Sequence, residues 1–220
     1  MLSALNITRY PHFDLSEIIT EPDLVFKKYK SLDPVKAGNV LPDFSLQKEA
    51  SNWQQFFNGA EIHGPILFSQ FLNKPLVIGF YSHSWQQHGL DLLQKLSAVQ
   101  NDIKERGGSL LIIGSKKDRA LEKIVWDNNL SLSFYFDKDY TIAEKFNIYS
   151  ESDPIWNRFS GIDTNVPLLA TYVISASGQI EYAHIDPEFS KPFPSKDIIS
   201  AVKKVGTIHN RIRNIRGDIG

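Results

Sequence analysis

The stretch PLVIGFYSHSWQQHGLDLLQKL, residues 75–96, decides the fold. Its first seven residues are an unbroken apolar run between Pro75 and polar Ser82, the pattern of a strand buried on both faces. The second half changes period. Leu92, Leu96, Val99 and Ile103 recur at helical spacing, which predicts a helix from about Gln86 to Arg106 with one apolar face. Gly107-Gly108 ends it, because glycine accepts the left-handed conformation that closes a helix. SLLIIGS (109–115) is a second buried strand. Strand, long helix and strand make a βαβ unit, so the two strands should run parallel with a right-handed crossover.

Downstream, KDRALEKIVWDNN (117–129) predicts a helix, SFYFD (133–137) a short strand, and YTIAEKFNI (140–148) one or two helical turns. SESDPIWNRFSGIDTN (150–165) carries turn residues and reads as a loop. LLATYVIS (168–175) and QIEYAHI (179–185) alternate with period two around Ala176-Ser177-Gly178, which predicts a hairpin. Ser195 is placed to cap a last helix carrying Ile198, Val202 and Val205. Upstream, VLPDFSL (40–46) reads as a short edge strand, since Pro42 cannot donate to a ladder, and GPILFSQFLNK (64–74) as a short helix after Pro65. Ser16 is placed to cap a helix with Ile18, Ile19, Leu24, Val25 and Phe26. The expected organisation is an N-terminal extension (1–39), one α/β domain (40–208) with a mixed central sheet between helices on both faces, and a tail (209–220) without apolar period.

The 220 residues suffice for one such core, and a net charge of −1 gives no general reason to expect nucleic acid or an anionic membrane as partner. No apolar run approaches a membrane span, and the start MLSALNITRYPHF lacks the cationic and apolar regions of a secretory signal. The expected location is the cytoplasm. The chain has no cysteine, which excludes disulfides, a thiolate nucleophile and thiolate-bound zinc or iron–sulfur clusters. Its one remaining sulfur is in Met1, and no cofactor is called for.

From Leu41 to Lys204 the chain resembles the peroxiredoxin-like branch of the AhpC/TSA redoxins. LPDFSL is similar to the family's opening Pro-x-Phe-x-Leu, GPILFSQFLNKPLVIGFYSHSW to its strand leading into the site, and LLATYVISASGQIEYAHIDPEFSKPFPSKDII to its hairpin, final loop and last helix. The resemblance implies a thioredoxin-like, peroxiredoxin-type three-layer sandwich and an antioxidant oxidoreductase activity carried by cysteine thiols. Where active relatives read Trp-Cys-Pro-x-Cys, this chain reads Trp85-Gln86-Gln87-His88-Gly89. Gln86 stands in the nucleophile's place and Gly89 in that of the second cysteine. Leu169 stands where relatives carry a cis-proline or an arginine before Ala-Thr-Tyr, with Pro167 two residues earlier.

What the resemblance implies for fold it therefore does not imply for catalysis. A glutamine amide is no substitute for a thiolate. What survives is the first turn of a helix, with unpaired backbone N–H groups and the positive end of a dipole. The side chains placed around it are Ser82, His83, Ser84, Trp85, Gln86, Gln87 and His88, with Pro167 opposite. One reading is a filled cleft whose side chains cap the helix. A second is a site for a small polar or anionic ligand. His83 and His88 raise a metal site, with His63 and Asp91 as further ligands, but their spacing does not enforce one. A Ser–His hydrolase built on Ser82 or Ser84 lacks the Gly-x-Ser-x-Gly elbow.

Lys116-Lys117-Asp118-Arg119 reads as a solvated helix start, and Arg211, Arg213 and Arg216 fall short of a nucleic-acid patch. Trp126, Tyr149, Trp156 and Phe159 read first as core, otherwise as a cover for the cleft or an oligomer contact. The leading expectation is a redox-inactive, peroxiredoxin-like binding module recognising a protein partner or small polar ligand, a homodimer being admitted. The alternatives are an antioxidant role without cysteine, and a non-redox ligand or metal site at His83 and His88.

Overall fold

The computed structural model describes residues 32–41, 44–156, 159 and 161–217, with side chains through Thr207. The helix expected from Ser16, the central part of the expected 40–46 strand and the arginine side chains of the tail lie outside the described residues. Seven strands form one sheet: β1 (Trp53–Phe57), β2 (Ala60–Glu61), β3 (Leu76–Tyr81), β4 (Ser109–Gly114), β5 (Ser133–Phe136), β6 (Ala170–Ile174) and β7 (Ile180–Ile185). Among the described residues, four α-helices accompany them: α1 (Gln86–Glu105), α2 (Arg119–Asp127), α3 (Thr141–Lys145) and α4 (Ser195–Gly217). The order across the sheet is β2-β1-β5-β4-β3-β6-β7. β3, β4 and β5 run parallel, whereas β6, β7, β1 and β2 pair antiparallel.

The centre of the sheet follows from the apolar runs. Every residue of β3 is buried, and Val77 and Ile78 are wholly inaccessible. Neighbouring residues of a strand point to opposite faces. Gly79 faces α1, where a methyl group in place of its hydrogen would collide with Leu96 Cδ1. Phe80 faces the other way, edge-on to Phe146, just beyond α3, at 4.9 Å and to Tyr172 of β6 at 6.1 Å. α4 closes the α1 face through Ile198 and Val202, and Val202 packs over Gly108. Gly107 ends α1 at φ +76°, donating to the Lys104 carbonyl while Gly108 donates to that of Ile103. This is the closure that the paired glycines predict.

Four elements differ from the sequence reading. Residues 53–61 form a hairpin, β1–β2, turned by Asn58 (φ +48°) and Gly59 (φ +80°). Residues 64–74 give only a 3-10 turn, Phe68–Gln70, because Phe68 and Phe71 dock on the Trp53 ring rather than forming a helical face. The described part of 40–46 is not a strand. Val40 makes a single bridge to Gln179, and the backbone around it bonds to Gly178 and Ile180. Finally, α4 does not stop near Val205 but runs to Gly217, and Ser195 is its first helical residue instead of its cap.

Candidate functional site

β3 ends at the buried Ser82, whose hydroxyl accepts from the Ser84 N–H at 3.3 Å. A single 3-10 turn, His83–Trp85, then leads straight into α1. Trp85 is the pillar of this junction. It is buried, donates its indole N–H to the Pro167 carbonyl at 2.8 Å, and lies edge-on to Phe159 (5.1 Å) and Phe189 (5.3 Å). An indole buried with its N–H satisfied fixes the first turn of α1 against two loops distant in sequence. The Val166–Pro167 peptide is trans.

Gln86, at the nucleophile's position, opens α1 with φ +47° and ψ −123°, a backbone region that non-glycine residues rarely enter. Such strain persists only where the surroundings hold it. Its side chain is exposed, and its amide donates to the Gly161 carbonyl at 3.2 Å. Gln87 donates to Asp91 Oδ1 at 2.7 Å, one turn along. The N-cap position of α1 is Trp85, whose side chain makes no cap bond, and the polar cap at this junction is Ser82, one turn earlier. Gly89 is buried. A Cβ there would sit 3.0 Å from the Ser82 carbonyl oxygen and 3.0 Å from the Tyr81 ring. A side chain at the second thiol's position would therefore be crowded, and its neighbours would have to give by a few tenths of an ångström.

Trp85 and the turn divide the expected site residues between separate clefts. Gln86, Gln87 and His88 border a cleft of about 510 Å³ with Phe159, Pro187 and Phe189. Ser82 and His83 border another, of about 340 Å³, with Lys116, Lys138 and Tyr140 at the carboxyl ends of the parallel strands. Ser84 lies between them, its hydroxyl 3.2 Å from that of Thr164. Only His88 stacks on Phe189, with ring centres 3.8 Å apart and planes within 10°. Asp91 is engaged by Gln87, and His63 lies beside Glu61 at the other end of the sheet. Among the described residues, no group of three or more His, Asp or Glu side chains comes together to hold a metal ion.

Leu169 is buried at the start of β6, beside Thr171. An apolar side chain there offers neither charge nor hydrogen bond to a peroxide. Of the lysine-rich junction, Lys117 pairs with Glu61 at 2.9 Å and Asp118 caps α2 by accepting from the Leu121 N–H at 2.8 Å. Trp126 is largely exposed and Trp156 partly so, whereas Tyr149 is buried against Tyr140. Phe159 does cover the cleft. The sequence reading missed Phe189, Gly161 and Thr164, which reach the site from loops far along the chain. The aromatic spacing in DPEFSKPFP was the available signal for Phe189.

The sheet order, the parallel centre and the helix launched from the end of β3 define a thioredoxin-like α/β protein. Residues 37–183 match the model of the AhpC/TSA family, and the chain belongs to that family as a member without either active-site cysteine. Among solved structures, it is similar to a reduced 2-Cys peroxiredoxin of Plasmodium vivax at 14% identity and TM-score 0.54, covering 80% of this chain and 99% of that one. The peroxidoxin BcpB of Mycobacterium tuberculosis matches at 16% identity and TM-score 0.54, covering 78% and 98%. AhpC of the same organism matches at 10% identity and TM-score 0.55, covering 77% and 92%. At such identities the likeness is one of fold. No curated protein matches the chain in sequence. Among the described residues, no helix is long and apolar enough to cross a membrane.

Proposed function

We propose that this chain acts by binding and has no thiol peroxidase or disulfide oxidoreductase activity. One observation carries the reading: Gln86 occupies the nucleophile's position at the start of α1, in a chain with no cysteine to replace it. Thiol-based peroxide reduction begins when a thiolate attacks the O–O bond and becomes a sulfenic acid. A carboxamide has no sulfur to oxidise and its nitrogen lone pair is delocalised. Leu169 removes the cation or proline from across the cleft as well. What the junction retains is a binding geometry: uncapped amides, a rigid indole wall and polar side chains at Ser84, Gln86, Gln87 and His88. This suits a small polar ligand or a segment of a partner protein.

The test is peroxide consumption by the purified chain with dithiothreitol or a thioredoxin system as reductant. The expected rate equals that of buffer with reductant alone. Turnover above that background, retained by protein pretreated with a thiol-blocking reagent that is removed before the reductant is added, would overturn the proposal and establish a cysteine-free antioxidant mechanism.

A further inference from the structure

A cleft of about 220 Å³ lies beside α1, between β6, β7 and the loop that follows β7. It shares the stacked His88–Phe189 pair with the cleft at Gln86, so that pair forms a wall between them. Its volume falls below the roughly 300–1,000 Å³ of drug-sized pockets, which suits a small metabolite-sized molecule.

The buried end of this cleft carries a polar group with nothing to bond. Thr171 is wholly inaccessible, and its hydroxyl has no hydrogen-bond partner among the described residues. On one side its register neighbour is Gly79, which has no side chain; on the other it is His184, which lines the same cleft. Burial holds the His184 imidazole below its ordinary pKa, favouring the neutral ring. Buried hydroxyls are almost always paired, so an orphan calls for a partner from outside.

The charged groups of this cleft are balanced in number, two acids and two lysines. Asp91 and Asp186 line it, Asp91 accepting from the Gln87 amide and Asp186 from the Lys191 backbone N–H at 2.6 Å, and both keep their negative charge because these donors are neutral. The Lys95 and Lys191 ammonium groups line it too, both exposed, and neither has an ion pair among the described residues. Phe189 and Phe193 line the same cleft. Phe189 holds φ +53°, a costly backbone for an aromatic residue, and keeps its ring on His88 and against Trp85. Phe193 lies edge-on to His184 at 6.1 Å.

We infer that this cleft binds a small aromatic acid bearing a hydroxyl group, with the hydroxyl on Thr171, the ring beside Phe189 and Phe193, and the carboxylate at Lys95 and Lys191. The inference rests on the reading of this chain as a binding module and names a ligand class for it. A site built to bond a hydroxyl rejects the analogue without one far more strongly than an apolar pocket could.

Calorimetric titration with three probes tests this: 4-hydroxyphenylacetate, phenylacetate lacking the hydroxyl, and 4-hydroxyphenylacetamide lacking the charge. Saturable binding of the first is expected, with each of the others weaker by roughly tenfold or more. Thr171→Val should abolish the preference for the hydroxyl, and K95Q/K191Q the preference for the carboxylate, with circular dichroism confirming the fold. If Thr171→Val does not fold, Thr171→Ser should fold and retain the hydroxyl preference. No saturable binding, equal binding of all three probes, or preferences unchanged in the folded variants would overturn the inference. The peroxide assay on the same preparation judges the redox-inactive reading separately, because its result does not depend on any probe.

Discussion

Two helix starts in this molecule are built in opposite ways. α3 begins on the buried carboxylate of Asp137, which accepts from the Ile142 and Ala143 N–H groups at 3.0 Å each and from the Thr141 hydroxyl at 3.2 Å. α1 begins on Trp85 with no side-chain cap, and its first residue, Gln86, is exposed and strained. Helix α3 is five residues long and depends on its cap, whereas α1 spans twenty residues with an inner face that is apolar except for Gln100. A long, well-packed helix tolerates an open first turn. The amides of a helix start are thus used for folding in one place and kept available in the other.

The largest effect should come from removing the cap that folding uses. Asp137→Ala strands two buried amides and should lower the unfolding free energy by about 2–3 kcal/mol, read from urea denaturation. No comparable loss is expected for Gln86→Ala, and an equal loss would erase the contrast. Next, Gln86→Cys places a thiol on the open amides of α1. Its pKa should fall by about one unit or more from the usual 8.5, as followed by ultraviolet thiolate absorbance. An unshifted thiol would mean that the first turn offers no usable field.

Acidity separates the two starts in a further way. Burial outweighs the three donors and raises the Asp137 carboxyl above its ordinary value. A folded-state pKa above the unfolded one makes this group's contribution most favourable below about pH 4. That contribution is lost as pH rises through the folded value. The stability of wild type minus that of Asp137→Asn should therefore decline upward from about pH 4, in urea titrations at several pH values. A difference that increases over that window would show the carboxylate to be favoured by its donors. The smallest effect belongs to strain. Gln86→Gly removes the penalty of φ +47° at the cost of one exposed hydrogen bond, for a gain of at most about 1 kcal/mol. A clear loss of stability would place that residue's importance in its side chain.

The core of the fold was legible because its signals are local. The seven-residue apolar run and the helical spacing of Leu92, Leu96, Val99 and Ile103 describe β3 and α1 without any knowledge of their neighbours. The β1–β2 hairpin escaped although Asn58-Gly59 is a strong turn signal. Its inward positions are Gln54 and Phe56, while Trp53 is half-buried and Phe57 exposed, so polarity does not alternate with burial. At the site, the residues of the first turn could be named in order. Their partners could not, since Gly161 lies 75 positions from Gln86, and Pro167 lies 82 from Trp85. Nothing in the chemistry of His83 and His88 reveals that the buried indole between them sends each to a different cleft.

Gly89 bears on history as much as on packing. The Tyr81 ring and the Ser82 carbonyl already touch the volume where a side chain at position 89 would begin. A substitution placing sulfur at position 86 meets open solvent, whereas one at position 89 needs the Tyr81 ring or the end of β3 to give by a few tenths of an ångström. The two changes are therefore unequal steps toward a two-cysteine site: the thiol at position 86 is the one that the present packing accepts without adjustment.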